Sequence, residues 1–406
     1  MGASPSNLPA RSPRFNPRIG IVAVSVFFNF AGFTLVIPVL PFSVARYVAA
    51  PDIAWWVSLI LALYSLCSFV TAPVLGAMSD RFGRRPVMLL SLCGSALGFA
   101  VFGVGGALWV LVLGRVIEGL TAGSISALYA YVADTHAPAE RGPAFGVLGA
   151  AGGLGFMLGP VLGGALGQVS LSAPLYGAAG LALMNCALVW FWMPESHPDA
   201  RRSKRLSLRQ FDAVGQLMRS LGEERLRRLF LVVFCFALGG AVLQANLAVL
   251  LKDFLAFQPA QIGLVLAGVG VMDIVSQGFA APRLQARFGE RRVASAGLAI
   301  NGLGLAAFAL LPLHAAAALL AAGIAMFTFG DGLFQPSASA LIANASPAER
   351  QGEVQGANQA QQAIARTAGP LAAAWLYGAS ASAPYAIVAV VVLLAAASLA
   401  RRHGAA

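Results

Sequence analysis

The sequence predicts an all-α integral membrane protein of twelve transmembrane helices, folded as two pseudo-symmetric six-helix bundles. Three observations carry that prediction. Of the 406 residues 58% are hydrophobic and the mean hydropathy is +0.77; a soluble chain of this length cannot hide so much apolar surface in one core. The apolar residues are also gathered into blocks, and short motifs recur about half a chain length apart.

The blocks at 19–43, 53–77, 87–108 and 109–133 each run past the roughly 20 residues that a helix needs to cross a bilayer. Further blocks follow at 143–168, 173–193, 229–251, 261–281, 293–313, 315–342, 352–378 and 383–400. The first is far longer than the apolar core of a signal peptide and shows no cleavage site, so it is expected to stay as an anchor. The chain then divides into a tail at 1–18, a bundle at 19–193, a linker at 194–228, a second bundle at 229–400 and a tail at 401–406.

Internal echoes support the division. Arg81-Phe82-Gly83 recurs as Arg287-Phe288-Gly289, Pro138-Ala139-Glu140-Arg141 as Pro347-Ala348-Glu349-Arg350, and Gly159-Pro160 as Gly369-Pro370. Repeats of this kind mark secondary transporters, whose substrate site lies between the halves near the midplane. In the linker Phe211, Val214, Leu217, Met218 and Leu221 recur at helical spacing, as in an amphipathic helix on the membrane surface or a tether that covers the bundle.

The formal net charge of +11 does not signal nucleic acid, because the basic residues lie where topology needs them. Of the 27 Lys and Arg, 23 fall in the tails, the linker and the loops on one side. The opposite side holds Arg46 and Lys252, and Arg115 and Arg366 lie within spans. By the positive-inside rule both termini and the linker are expected in the cytoplasm, in a multi-pass inner-membrane protein. The four cysteines, Cys67, Cys93, Cys186 and Cys235, fall within spans and form no metal-type cluster.

Charge is concentrated in "GAMSDRFGRRPV", between the second and third blocks. Gly76 and Gly83 permit a tight reversal with close helix approach, and Asp80 is placed to face a helix N-terminus or a basic partner. A pure topology signal needs only Arg81, Arg84 and Arg85; the acid and the glycines at fixed spacing go beyond it. In the fifth block Gly155, Gly159, Gly163 and Gly167 repeat every fourth residue beside Gly164, giving a face that another helix can approach closely, and Pro160 introduces a bend.

Charges inside spans cost at least about 2.5–3.5 kcal/mol when isolated at the bilayer centre, so each needs a partner or a water-filled cavity. Arg115 and Glu118, three residues apart in "LGRVIEGLTAG", can pair with each other; a purely structural pair is the alternative to a proton-coupling one. Asp273 in "GVMDIVSQ", Asp331 in "TFGDGLFQPS" and Arg366 in "AIARTAGP" complete the set. For Asp331 the alternative is a place near a helix end, satisfied by Arg366.

The "GAMSDRFGRRPV" stretch resembles the signature loop of the major facilitator superfamily. The resemblance implies that Asp80 and the arginines, with Asp134 of "YVAD", form a cytoplasmic latch that closes the outward-open state. Gly155-x-x-x-Gly159-Pro160-x-x-Gly163-Gly164 resembles the motif of the drug:proton antiporter branch, which implies export. The family also places an arginine at the position of Arg115 and associates it with proton coupling. Across nearly the whole chain "FTLVIPVLP", "GRVIEG…YVAD", "GPVLGG…MPESH" and "PAERQGEVQG" resemble the tetracycline-efflux proteins. Those pumps carry aspartates in the first, third and ninth spans where Asn29, Gly98 and Asn301 stand here, and a histidine in the eighth where Asp273 stands. Glu118 and Asp331 replace small residues. Asparagine can hydrogen-bond a polar ligand but neither titrates nor holds a metal-chelated cation by charge.

The expected function is proton-coupled efflux of lipophilic small molecules or drugs by alternating access, with coupling through Glu118, Asp273, Arg115 and Asp331. Asn29, Gln244, Asn246, Asn301, Gln335, Asn358, Gln359 and Arg366 are candidates to line the substrate cavity. The alternative is an exporter or symporter of a small metabolite or organic anion. An enzyme is disfavoured: the four histidines are scattered through loops and tails, and no phosphate loop of the GxxxxGK[ST] kind occurs. No cofactor or metal is expected, and the partners are protons, the bilayer and a small molecule, for a monomer.

Overall fold

The computed structural model describes residues 17–136, 138–196, 221–345 and 351–401, and within them the chain is helix and short connections, with no strand. The first six spans are Pro17–Leu35, Ile53–Phe82, Arg84–Val104, the pair Leu108–Leu120 and Ser124–Thr135, Pro138–Val169 and Ala173–Trp192. The next six are Glu224–Leu255, Pro259–Val275 continued to Phe288, Glu290–Leu310, Ala317–Ala345, Gln351–Ala379 and Ala383–Ala400.

By length and composition, 11 candidate spans among the described residues can cross a membrane. Gln351–Ala379, with 29 residues, is long enough but not apolar enough. Its Asn358, Gln359, Gln361, Gln362 and Arg366 dilute the apolar residues, and Gln359 and Arg366 face a cavity rather than lipid. Elsewhere large apolar side chains such as Trp109, Trp190, Phe191 and Trp375 stand exposed, as a surface bathed in hydrocarbon requires.

Helix contacts repeat between the halves. Span one packs on five and six, three on four and six, and two on four; seven packs on eleven and twelve, nine on ten and twelve, and eight on ten. The halves meet through two further pairs, five with eight and two with eleven, which are themselves related by the same correspondence. Two glycines mark the repeat in the backbone: Gly83 (φ 104) and Gly289 (φ 80), both in conformations open to glycine, turn the chain between spans two and three and between eight and nine.

Several local features depart from the sequence reading. The fourth span is broken at Thr121–Gly123, one turn after Glu118, where the Thr121 hydroxyl donates to the carbonyls of Ile117 and Glu118. The eighth contains a π turn at Ser276–Ala280 just after Asp273; Pro282 has no N–H to donate, and the wider turn takes up the irregularity. The seventh helix starts at Glu224, inside the stretch read as linker. Gly76 lies within a helix with open space around it, so it supports no close approach. The Phe211, Val214, Leu217 and Met218 stripe, the side chains of 138–141 and the motif at 347–350 lie outside the described residues.

The seam between halves is sealed on the face opposite the described chain ends. There Gly164 of span five meets Pro259 and Ala260 of span eight, Gly270 meets Met157, and Ser58 of span two donates to Asn246 of span seven at 3.1 Å. Val249 and Tyr377 of the second half pack into a cluster built by Leu35, Leu40, Val44 and Val57 of the first. Toward the other face a Cβ added at Gly146 or Gly149 of span five, or at Gly278 of span eight, would meet nothing.

Candidate functional site

Three connected spaces occupy the middle of the molecule. The largest, about 970 Å³, lies between the halves and is lined by Phe33, Tyr64, Tyr129, Phe156, Gln244, Gln359 and Arg366, among others. A lobe of about 370 Å³ extends into the second half, where Asp273, Asp331, Thr328 and Gln335 join Gln244 and Arg366 on its wall. A small chamber of about 190 Å³ lies within the first half, lined by Asn29, Tyr64, Glu118, Ser124 and Asn185. Phe33, Tyr64, Ala122 and Ile125 border both the chamber and the central cavity.

Arg115 and Glu118 form an ion pair at 2.6 Å, with side chains 3% and 6% exposed. One turn of helix separates them, so the backbone itself sets the geometry. The guanidinium also lies over the rings of Phe102 (5.0 Å) and Phe99 (5.7 Å), whose faces favour a cation. Space for Glu118 comes from Gly98: a Cβ there would fall 2.7 Å from the Gly114 carbonyl and 3.0 Å from the Glu118 Cβ. Arg115 Nε is buried without a partner.

The charges of the second half stand apart. Asp273 accepts two hydrogen bonds from Gln277 Nε2, at 2.8 and 2.9 Å. Asp331 sits mid-helix in Ala317–Ala345, not near an end, and makes no ion pair with Arg366. The alternative of a mutually satisfied Asp331–Arg366 pair is therefore set aside.

Of the polar residues expected to line the cavity, Gln244, Gln335, Gln359 and Arg366 do so, and Asn29 lines the small chamber, where it accepts from Ser124 at 2.6 Å. Three do not. Asn246 is fully buried against Ser58, Asn301 is fully buried and donates to the Phe327 carbonyl, and Asn358 accepts from Gln361 in the helix interior. Asn246 and Asn301 thus join neighbouring helices, while Asn358 bonds within its own helix; a buried amide is stabilised by whichever backbone or side-chain partner lies nearest. Tyr64 and Thr328 also line these spaces, though in the sequence they are indistinguishable from packing residues.

At the face bearing the chain ends, Arg84 is the hub of the charged loop. It pairs with Asp80 at 2.6 Å and Asp134 at 2.9 Å, while Glu195 accepts from the backbone N–H groups of Arg84 and Arg85. Arg85 donates to the Trp190 carbonyl and lies over its ring; Arg81 lies over Phe82. All these contacts stay within the first half. Asp80 is 42% exposed at its side chain against 11% for Arg84. Arg84→Gln should therefore cost about 1–3 kcal/mol of stability in this state, and Asp80→Asn no more than about 1 kcal/mol. Thermal unfolding of the two variants side by side checks the order.

Gly155, Gly159 and Gly163 all face span one: a Cβ would lie 2.6 Å from the Phe27 carbonyl at Gly155 and 2.6 Å from the Ala31 carbonyl at Gly159, and would collide with the Leu35 carbonyl at Gly163. Gly164 faces the other half instead, 2.6 Å from the Pro259 carbonyl. Pro160 is accommodated within the continuous helix Pro138–Val169, its carbonyl against Gly263 of span eight.

The family model described as Major Facilitator Superfamily matches residues 22–228 and again 229–403. Tetracycline resistance protein, class C, of Escherichia coli is 35% identical over 367 residues, covering 90% of this chain and 91% of that protein. Major facilitator superfamily domain-containing protein 10 of Homo sapiens is 30% identical over 413 residues, covering 89% and 88%. The crystal structure of that human protein, described as an organic anion transporter, superposes with a TM-score of 0.72 at 26% identity, covering 96% of this chain and 100% of that one. A peptide-transporter-family structure with 5-aminolevulinic acid superposes at 0.78 with 12% identity, a likeness of fold alone.

Proposed function

The chain belongs to the major facilitator superfamily, a multi-pass membrane transporter and not an enzyme, and on that premise we propose that it exports lipophilic small molecules in exchange for protons. The carrying observation is the buried Arg115–Glu118 pair on a chamber that shares its wall with the central cavity. Burial penalises a bare carboxylate, so Glu118 is ready to take a proton when its partner shifts. Proton binding neutralises the acid and frees the arginine; proton release restores the pair. Asp273 is the second coupling candidate, on the cavity side.

With the termini cytoplasmic by the positive-inside rule, the sealed face is external and the molecule is inward-facing. Alternating access then opens the seam at spans five and eight and at two and eleven, with the Asp80–Arg84–Asp134 cluster serving as the latch of the opposite state. The driving force is the proton gradient, without a nucleotide, and the unit is a single chain in the inner membrane. Tetracycline is a cargo to test, because relatives are named for resistance to it.

A second reading, export of an organic anion, is favoured by Arg366, which lines both the central cavity and the lobe with no ion pair among the described residues. Competition by organic acids and indifference to lipophilic cations would support it.

Proteoliposomes carrying an imposed pH gradient test coupling. Glu118→Gln should lower gradient-driven accumulation by about tenfold or more, within the range of effects seen when one positioned proton-transfer group is removed, yet keep exchange of labelled for unlabelled cargo. If Glu118→Gln and Asp273→Asn together leave coupling intact, the assignment fails.

A further inference from the structure

We propose that the lobe in the second half binds the two ends of an amphoteric substrate, its protonated amine at Asp331 and Asp273 and its acidic group at Arg366. The proposal rests on the transport reading for the role of the cavity, and it names the class of cargo.

The lobe separates charge that the first half cancels. Glu118 is neutralised by Arg115 at 2.6 Å. In the lobe, by contrast, neither aspartate is ion-paired among the described residues: Asp273 receives only the neutral amide of Gln277, and Asp331 receives no hydrogen bond. Arg366, on the wall shared with the central cavity, likewise has no carboxylate partner. Two carboxylates and a guanidinium are thus held around about 370 Å³ without meeting one another. In a low-dielectric site ionised groups of either sign are expensive without a partner, and an occupant that brings both counter-charges stabilises them in their charged forms.

An independent feature points the same way. Thr328 is 1% exposed and lies on the lobe wall, and its hydroxyl has no partner. A buried hydroxyl without a partner beside a cavity is one that an occupant can satisfy. Phe308 and Phe327 close the lobe with apolar surface, so the skeleton between the two charges is lipophilic.

Binding to the full chain in lipid nanodiscs at pH 7, without any gradient, tests this with three probes on one skeleton. They are 3-[4-(aminomethyl)phenyl]propanoate, which carries both charges, 4-ethylbenzylamine, and 3-(4-methylphenyl)propanoate. The amphoteric probe is expected to bind at least about tenfold more tightly than either singly charged one, the factor that one added charge-assisted contact supplies. Asp331→Asn should remove its advantage over the propanoate, and Arg366→Gln its advantage over the amine. Equal binding of the three, tighter binding of a singly charged probe, or no binding of the amphoteric one overturns the proposal; a benefit from neither charge would mean that the aspartates hold protons only. The ranking on the unmutated chain stands even if a variant fails to fold. Because no gradient is used, loss of proton coupling would leave the ranking untouched, and a coupled exporter with a flat ranking would overturn this proposal alone.

Discussion

Arg115→Leu should lower the stability of the protein by about 3–5 kcal/mol, the cost of leaving a buried charge without its partner. The double variant Arg115→Leu with Glu118→Leu should lose far less. The pair is nearly sealed from solvent, with side chains 3% and 6% exposed, and Glu118 Oε2 has Arg115 as its hydrogen-bonding partner. Removing the arginine also strips the Phe99 and Phe102 rings of the cation they face. The double variant removes both charges and replaces them with apolar volume, which membrane and soluble interiors alike tolerate. Unfolding of the three proteins in the same lipid or detergent measures the cycle. Equal losses for the single and double variants would mean that the chamber solvates Glu118 by itself, and that the pair contributes position rather than stability.

The neighbouring glycines of span five should behave in opposite ways. Gly163→Val places atoms where the Leu35 carbonyl lies, within the first half, so it should impair folding by several kcal/mol, about the scale of a severe overpacking mutation. Gly164→Val meets Pro259 and Ala260 of the other half. It should leave the bundle folded and open the seam instead, shifting the population away from the state sealed at that face. Thermal unfolding reads the first effect. Spin-label distances between spans five and eight, or thiol labelling of cysteines placed along the seam, read the second. A Gly164→Val protein that unfolds early with an unchanged seam would show that spans five and eight form one fixed core.

The sequence made the scaffold legible because a bilayer leaves few choices. Long apolar blocks can be satisfied only as helices, and the Arg-Phe-Gly echo marks two glycine turns that the backbone indeed forms with positive φ at Gly83 and Gly289. The Arg115–Glu118 pair was also readable, since its spacing sits within one turn of one helix. The reading weakened wherever a partner comes from another helix. Asn246 and Gln244 are two residues apart, yet one is buried against Ser58 and the other opens on the cavity. The 3.5 Å approach of the Cys93 and Cys186 sulfurs, from spans three and six, has no local signature at all. The break in span four and the π turn in span eight were equally invisible, because each is a small adjustment near a polar site and neither alters the hydropathy.

The membrane-spanning helical class, the doubled organisation and the short-range pairs all follow from composition, chain length and spacing along one helix. Packing settled which amides are buried and which face the cavity, that Arg84 pairs with both Asp80 and Asp134, and that Asp273, Asp331 and Arg366 share a lobe without pairing. The cause is geometric. A helix fixes its own residues to one another, but the rotation and depth at which it meets its neighbours are set by packing among many side chains, such as the contact of Gly163 with span one and of Gly164 with span eight.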